Sequence, residues 1–253
     1  MGKLAEQVNN LEFIRGIRIL ISSPGKMAAI AAIDILFFLT AFILRKFAES
    51  LDINPTAVST SLIAGVLLLS VLYYAVLLLG YSFFKLCVLG LVKSAAEKSV
   101  FEFGKLGKFY LLNLGIFSAI LTVSILVGSV LASAKESFAI WVIGIAGVPY
   151  MITVYIFMNI AHSAFAQRYS IKESFKEGLR HIKNLRAYTG IIIPSIILAA
   201  VLSLPYSFLY ARTSLAAGAV LLGVFEGLAY ILFFINRIGF YIASKTTTKV
   251  SGM

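Results

Sequence analysis

Acidic residues are scarce in this sequence, and charge of either sign is thin. The 253 residues include 11 Asp and Glu against 22 Lys and Arg, and only 13% of positions are charged. Soluble domains carry about 25% charged and roughly 45–50% apolar residues. Here 60% are hydrophobic and mean hydropathy is +0.96, which excludes both a soluble domain and a disordered chain. One cysteine, Cys87, excludes a disulfide-stapled secreted fold. Two histidines, His162 and His181, lie too far apart in kind and position to read as a metal site, so no metal or cofactor is expected. The Gly-x-x-x-x-Gly-Lys, His-Glu-x-x-His and Gly-x-Ser-x-Gly patterns are all missing, and no nucleophile is presented to His162. The expectation is a protein that is not an enzyme.

What the chain has in quantity is long apolar runs. The first is Met27–Leu44, interrupted only by Asp34; the others are Thr60–Phe84, Phe109–Ala132, Phe138–Ala166, Ala187–Tyr210 and Ser214–Ala243. About 20 helical residues cover a ~30 Å hydrocarbon core, so each run is long enough to cross a bilayer. The runs are continuously apolar rather than alternating, which argues against a β-barrel. Residues 1–26 hold no apolar core that a signal peptide would need. The expected fold is all-α: one integral membrane domain, 1–253, with six transmembrane helices.

The few charges then orient the bundle. With six spans, one side collects Arg15, Arg18, Lys26, Lys85, Lys93, Lys98, Lys105, Lys108, Arg168, Lys172, Lys176, Arg180, Lys183, Arg186 and Lys245. The other holds Arg45, Lys46, Lys135 and Arg212 beside Glu49, Asp52 and Glu136. Basic flanks stay in the cytoplasm during insertion, so both termini are expected there, in the plasma or inner membrane.

The basic segments are themselves patterned. Leu4, Val8, Leu11, Ile14, Ile17 and Ile21 recur at helical spacing, as do Ile171, Phe175, Leu179 and Ile182, with basic residues between them. A weaker set is Val100, Phe103 and Leu106. Ser94/Glu97 and Ser170/Glu173 have the spacing of capping boxes. Phe13/Gly16, Phe101/Gly104 and Phe175/Gly178 repeat a Phe-x-x-Gly pair in each segment. Two readings account for this: a threefold repeat (1–93, 94–167, 168–245), or the likeness that basic retained loops produce by themselves. Either way, three basic amphipathic helices are expected on the cytoplasmic side, apolar face down in the headgroup plane. Arg15, Arg18, Lys98, Lys105, Lys108, Lys172, Lys176, Arg180, Lys183 and Arg186 would face anionic lipid, at about 1 kcal/mol each, or a partner protein or second copy. Nucleic acid fits poorly, because these charges are pressed against a membrane.

Aromatic–Gly interfacial helices leading into membrane hairpins, with the wording Glu173-Ser174-Phe175-Lys176-Glu177-Gly178-Leu179, make the chain resemble a broad group of six-helix bacterial and archaeal membrane families. That group includes the membrane region attached to some glycerophosphodiester phosphodiesterases and families with no assigned function. The soluble phosphodiesterase domain has no counterpart in these residues, so the resemblance implies an architecture and no activity.

Ionisable residues within the runs are costly, at ~3 kcal/mol on insertion scales. Asp34, Lys85, His162 with Asn159, and Arg237 fall at similar depths in four different runs. Lys85 and Arg237 can snorkel toward headgroups; Asp34, being short, must pair with one of them, be protonated, or meet water. Glu226 lies deeper, with Tyr230, Phe233 and Arg237 following on nearly one helical face. It reads either as a proton or cation pathway or as a protonated, hydrogen-bonded acid. Ala219, Gly223 and Gly227 would let a helix approach closely, and Pro149, Pro194 and Pro205 would kink their spans. Two functions therefore stand: a non-enzymatic membrane module whose basic helices engage anionic lipid or a partner, and a small permease or channel using Asp34 and Glu226.

Overall fold

The computed structural model describes residues 12–50, 60–97, 102–132, 143–182, 188–210 and 215–250, and these are helical almost throughout, with no strand among them. In chain order the helices are α1 (Glu12–Ser22), α2 (Pro24–Ser50), α3 (Thr60–Glu97), α4 (Leu106–Ala132), α5 (Val148–Arg168), α6 (Ile171–Ile182), α7 (Thr189–Tyr210) and α8 (Leu215–Val250). A 3-10 turn, Phe103–Lys105, leads into α4, and a π turn, Ile143–Gly147, leads into α5. Five described helical stretches are long and apolar enough to cross a membrane: Pro24–Ser50, Ala64–Glu97, Phe103–Ser129, Ile145–Arg168 and Leu222–Lys245. Within α7 the described apolar stretch is the shorter Thr189–Leu198.

Two helices overrun their expected bounds. At 38 and 36 residues, α3 and α8 are each about 55 Å long, well beyond a ~30 Å hydrocarbon core. Nothing stops α3 near Phe84: no proline follows, and Lys93-Ser94-Ala95-Ala96-Glu97 is rich in good helix formers. Ser94 and Glu97 therefore lie within α3, already helical from Thr60, and do not open a new helix; the Ser94 hydroxyl donates back to the Leu91 carbonyl (3.2 Å). Pro149 sits in the first turn of α5, directly after the π turn Ile143–Gly147 that leads into it. Helix α7 continues through Pro194 and Pro205.

The packed core lies at one end of the bundle, the end carrying Lys26, Lys93, Arg168 and Lys245. Ile30 of α2, Leu86–Val92 of α3, Phe109–Ile116 of α4, Phe157–Ala166 of α5 and Phe234–Ile242 of α8 meet there. At the other end the same helices present Phe38, Leu68, Leu126 and Val220 with 62–71% of their surface open. Residues 121–129 of α4 are exposed on every side. A surface this apolar suits hydrocarbon, not water.

The amphipathic helices pack against protein. Phe13 and Gly16 of α1 are buried, and Phe13 clusters with Leu232 and Ile235 of α8. At Gly16 a Cβ would stand 3.2 Å from the Ile235 carbonyl oxygen, so glycine permits the close crossing. Of the face expected to enter lipid, Ile14 and Ile17 pack partly buried against this cluster, Ile21 is 71% exposed, and Leu4, Val8 and Leu11 lie outside the described residues; Arg15 and Arg18 are exposed.

Helix α6 folds back onto α5 through Tyr169, whose left-handed backbone (φ 51°) ends α5 and whose N–H donates to the Phe165 carbonyl (2.7 Å). Half the expected capping box forms: the Glu173 N–H donates to the Ser170 hydroxyl (3.4 Å), while the Glu173 carboxylate accepts from Arg168 (3.3 Å). The buried residues of α6 are Ser174, Glu177, Gly178 and His181, whereas Leu179 is 50% exposed. Of the expected stripe, Ile171, Phe175 and Ile182 pack partly buried against the core, and Leu179 alone stays out. The closest approach to α5 is at Gly178, where a Cβ would meet the Phe157 ring at 2.5 Å. Gly104, by contrast, faces open space, and Phe101 lies outside the described residues.

Candidate functional site: a buried charge layer and a basic stripe

Asp34 enters the bundle from α2 where α8 presents Tyr230 and Arg237. The Arg237 guanidinium donates through Nη1 to Oδ2 (2.6 Å) and through Nη2 to Oδ1 (3.2 Å). The Tyr230 hydroxyl also donates to Oδ2 (2.8 Å). Phe233, between them on the same face, lies 4.3 Å below the guanidinium. Of the two cations within reach, Asp34 takes Arg237, whose fork matches a carboxylate two bonds at a time. The two side chains are 14% and 9% exposed, so the pair is largely withdrawn from screening.

Lys85 of α3 is partly buried. Among the described residues it makes no hydrogen bond or ion pair. One turn before it, Tyr81 is ringed by Phe37 (5.9 Å), Phe117 (5.5 Å) and His162 (6.3 Å).

His162 belongs to a separate polar relay linking three helices. The Ser82 hydroxyl donates to the Leu78 carbonyl (2.7 Å) and accepts from Asn113 Nδ2 (2.9 Å), so Asn113 Oδ1 is left as an acceptor. His162 Nε2, 2.7 Å from that oxygen, must then carry the proton, and a neutral ring keeps a bare Nδ1. Nδ1 is buried and has no partner among the described residues. Asn159 turns away, donating to the Tyr155 carbonyl of its own helix (2.8 Å). A further pair, Ser195 donating to Asn236, joins α7 to α8. Ser82, Asn113, Ser195 and Asn236 were not singled out by sequence reasoning; the available signal was an isolated polar residue within each apolar run.

Nearer the basic end, cations cap helix ends. Lys93 donates to the Ala166 carbonyl at the end of α5 (2.9 Å), and Lys26 to the Ser94 carbonyl at the end of α3 (2.7 Å). Tyr241 donates to Glu97 (2.6 Å), which also pairs with Lys245 (3.1 Å). Glu226 joins neither layer. It stands one turn beyond Tyr230, exposed, without a polar partner among the described residues, which corrects the reading of a buried, hydrogen-bonded acid.

On α6, Lys172, Lys176 and Arg180 recur every fourth residue and are all exposed. With Phe175 and Leu179 they line an open groove of about 740 Å³. Behind this stripe the buried Glu177 meets His181 Nε2 (3.0 Å) and Arg168 (3.6 Å). Burial pushes the His181 pKa below its usual 6.5, against the opposing pull of Glu177. Of the other basic candidates, Lys108 is exposed, and Lys105 lies 3.6 Å from Glu102 and over the Tyr169 ring. Lys98, Lys183 and Arg186 lie outside the described residues.

The fold and its polar layers define an all-helical chain of the multi-pass membrane type. No family model, curated protein or solved structure matches it.

Proposed function

We propose that the chain is a non-enzymatic six-span membrane protein, both termini cytoplasmic, that engages anionic lipid headgroups through α6. The observation that carries this reading is the exposed Lys172–Lys176–Arg180 stripe over the apolar floor of Phe175 and Leu179. The buried face of α6 is packed against α5, and among the described residues these three cations make no hydrogen bond or ion pair. Three such residues at about 1 kcal/mol each favour an anionic over a neutral surface by roughly 3 kcal/mol, less at high salt. Reconstitution into nanodiscs of mixed phosphatidylcholine and phosphatidylglycerol tests it. The wild-type protein should retain more phosphatidylglycerol than the Lys172→Gln/Lys176→Gln/Arg180→Gln variant, by a margin that shrinks as salt rises. Equal lipid composition around both proteins would refute the reading.

The second reading, an ion or solute path through Asp34 and Glu226, is favoured by one placement. Glu226 stands beyond Tyr230 on the open side of the layer that Tyr230 and Asp34 form. It requires a flux across proteoliposomes that Asp34→Asn abolishes.

A further inference from the structure

Resting on the lipid reading above, we infer that the α6 groove takes a lipid with two phosphates joined through one glycerol, a diphosphatidylglycerol, in preference to lipids with a single phosphate. The spacing of the cations points to it. Lys172, Lys176 and Arg180 follow one another at four-residue intervals and are all exposed. At about 1.5 Å per residue, successive cations stand about 6 Å apart along the helix axis, and so do the two gaps between them. In such a lipid the phosphorus atoms are six bonds apart. Three backbone bonds span ~3.8 Å, so six reach roughly 7 Å when extended, enough to set one phosphate in each gap.

The charge balance of the helix calls for an anion from outside. Like charges four residues apart on a helix repel, whereas an acid at that spacing would pair with them. The acids of α6 are turned elsewhere: the Glu173 carboxylate accepts from Arg168 (3.3 Å), and Glu177 is buried against His181 (3.0 Å) and Arg168 (3.6 Å). Two phosphates bring two negative charges to the three positive ones. Lys176 borders both gaps, and the Arg180 guanidinium offers a planar fork that takes two phosphate oxygens at once.

The groove also suits the rest of such a lipid. Phe175 and Leu179 line it with the three cations, and each stands three residues after a lysine. The apolar row therefore runs alongside the basic row on neighbouring faces of the helix. Phosphates seated on the cations leave the acyl chains over Phe175 and Leu179, the latter half exposed.

The test uses the full-length protein in phosphatidylcholine nanodiscs, titrated with diphosphatidylglycerol in one arm and phosphatidylglycerol in the other and compared at equal phosphate. A saturable rise in Tm reports binding. Wild-type protein should reach half-saturation with the two-phosphate lipid at a phosphate level lower by at least about tenfold, because its second contact is intramolecular. Arg180→Gln opens the second gap and should bring both lipids to the same half-saturation per phosphate, with phosphatidylglycerol still held between Lys172 and Lys176. The Lys172→Gln/Lys176→Gln/Arg180→Gln variant should lose both responses. These side chains are exposed, so each variant should melt near the wild-type Tm in phosphatidylcholine alone. Equal half-saturation in the wild type, or a preference that survives Arg180→Gln, would overturn the two-phosphate assignment; loss of both responses in the triple variant would then leave the lipid reading standing. A triple variant that responds as wild type does, or a wild type with no saturable response to either lipid, would overturn both.

Discussion

Replacing Asp34 by Asn removes one charge while keeping the side chain's shape, so its effect isolates the pairing with Arg237. The carboxylate accepts from Nη1, Nη2 and the Tyr230 hydroxyl. An amide oxygen in the Oδ2 position can still accept two of those donors, but its NH2 group then faces Nη2 donor to donor. Arg237 and Lys85 are left as two cations with no acid in the layer. Removing one partner from a buried pair costs about 3–5 kcal/mol. Both side chains here are under 15% exposed, so little of that is relieved by solvent. For a chain of this size 1 kcal/mol corresponds to roughly 2–4 °C, giving a fall in Tm of roughly 10 °C. Cys87, the single thiol, is partly buried between the core residues Leu86 and Val88, so its labelling by a thiol-reactive dye reports unfolding directly. Asp34→Asn combined with Arg237→Gln should recover much of the loss, because the stranded guanidinium is gone. A Tm for Asp34→Asn within about 1 °C of wild type would refute the reasoning, since a paired, desolvated carboxylate cannot be neutralised so cheaply.

Two further perturbations address α6. Gly178→Ala places a methyl 2.5 Å from the Phe157 ring, which also meets the Phe175 ring edge-on, and should cost about 1–3 kcal/mol. Phe157→Leu in the same chain should relieve part of that cost; strict additivity of the two changes in a thermal-melt cycle would show that the contact is not the cause. His181 is held below its usual 6.5 chiefly by burial, so the unfolded chain takes up the proton first. Stability should therefore fall as pH drops below 6.5 toward the folded value and level off beneath it. His181→Gln should flatten that part of the profile, and an unchanged slope in melts between pH 7 and 5 would assign it to another group.

Membrane class was legible because continuous apolar runs need no tertiary information. Helix ends were less so. The last turns of α3 past Phe84 are as helix-prone as its apolar part, and a polar tail alone does not say where a helix stops. That is why Ser94 and Glu97 read as a start and proved to lie within a helix already under way. The depth of Asp34, counted along its run, matches that of Lys85 and Arg237, and the structure pairs it with Arg237. Choosing between them needed the face of α8, where Tyr230, Phe233 and Arg237 align. The Ser82–Asn113–His162 relay was out of reach, since it depends on the register of three helices that share no sequence signal. On α6 the stripe of Ile171, Phe175 and Ile182 does pack against the core, but the most deeply buried positions are Ser174, Glu177, Gly178 and His181, set by the close approach to α5 that Gly178 allows.

The whole account rests on which side of the membrane the basic end faces. Single cysteines at Ser50, at the far end of α2, and at Lys172, on the α6 stripe, can be introduced into a Cys87→Ser background and probed in intact cells. A membrane-impermeant maleimide added outside should label position 50 at once and position 172 only after permeabilisation. Labelling of position 172 from outside in intact cells would contradict both the cytoplasmic placement of the basic end and the proposed grip of α6 on the inner leaflet.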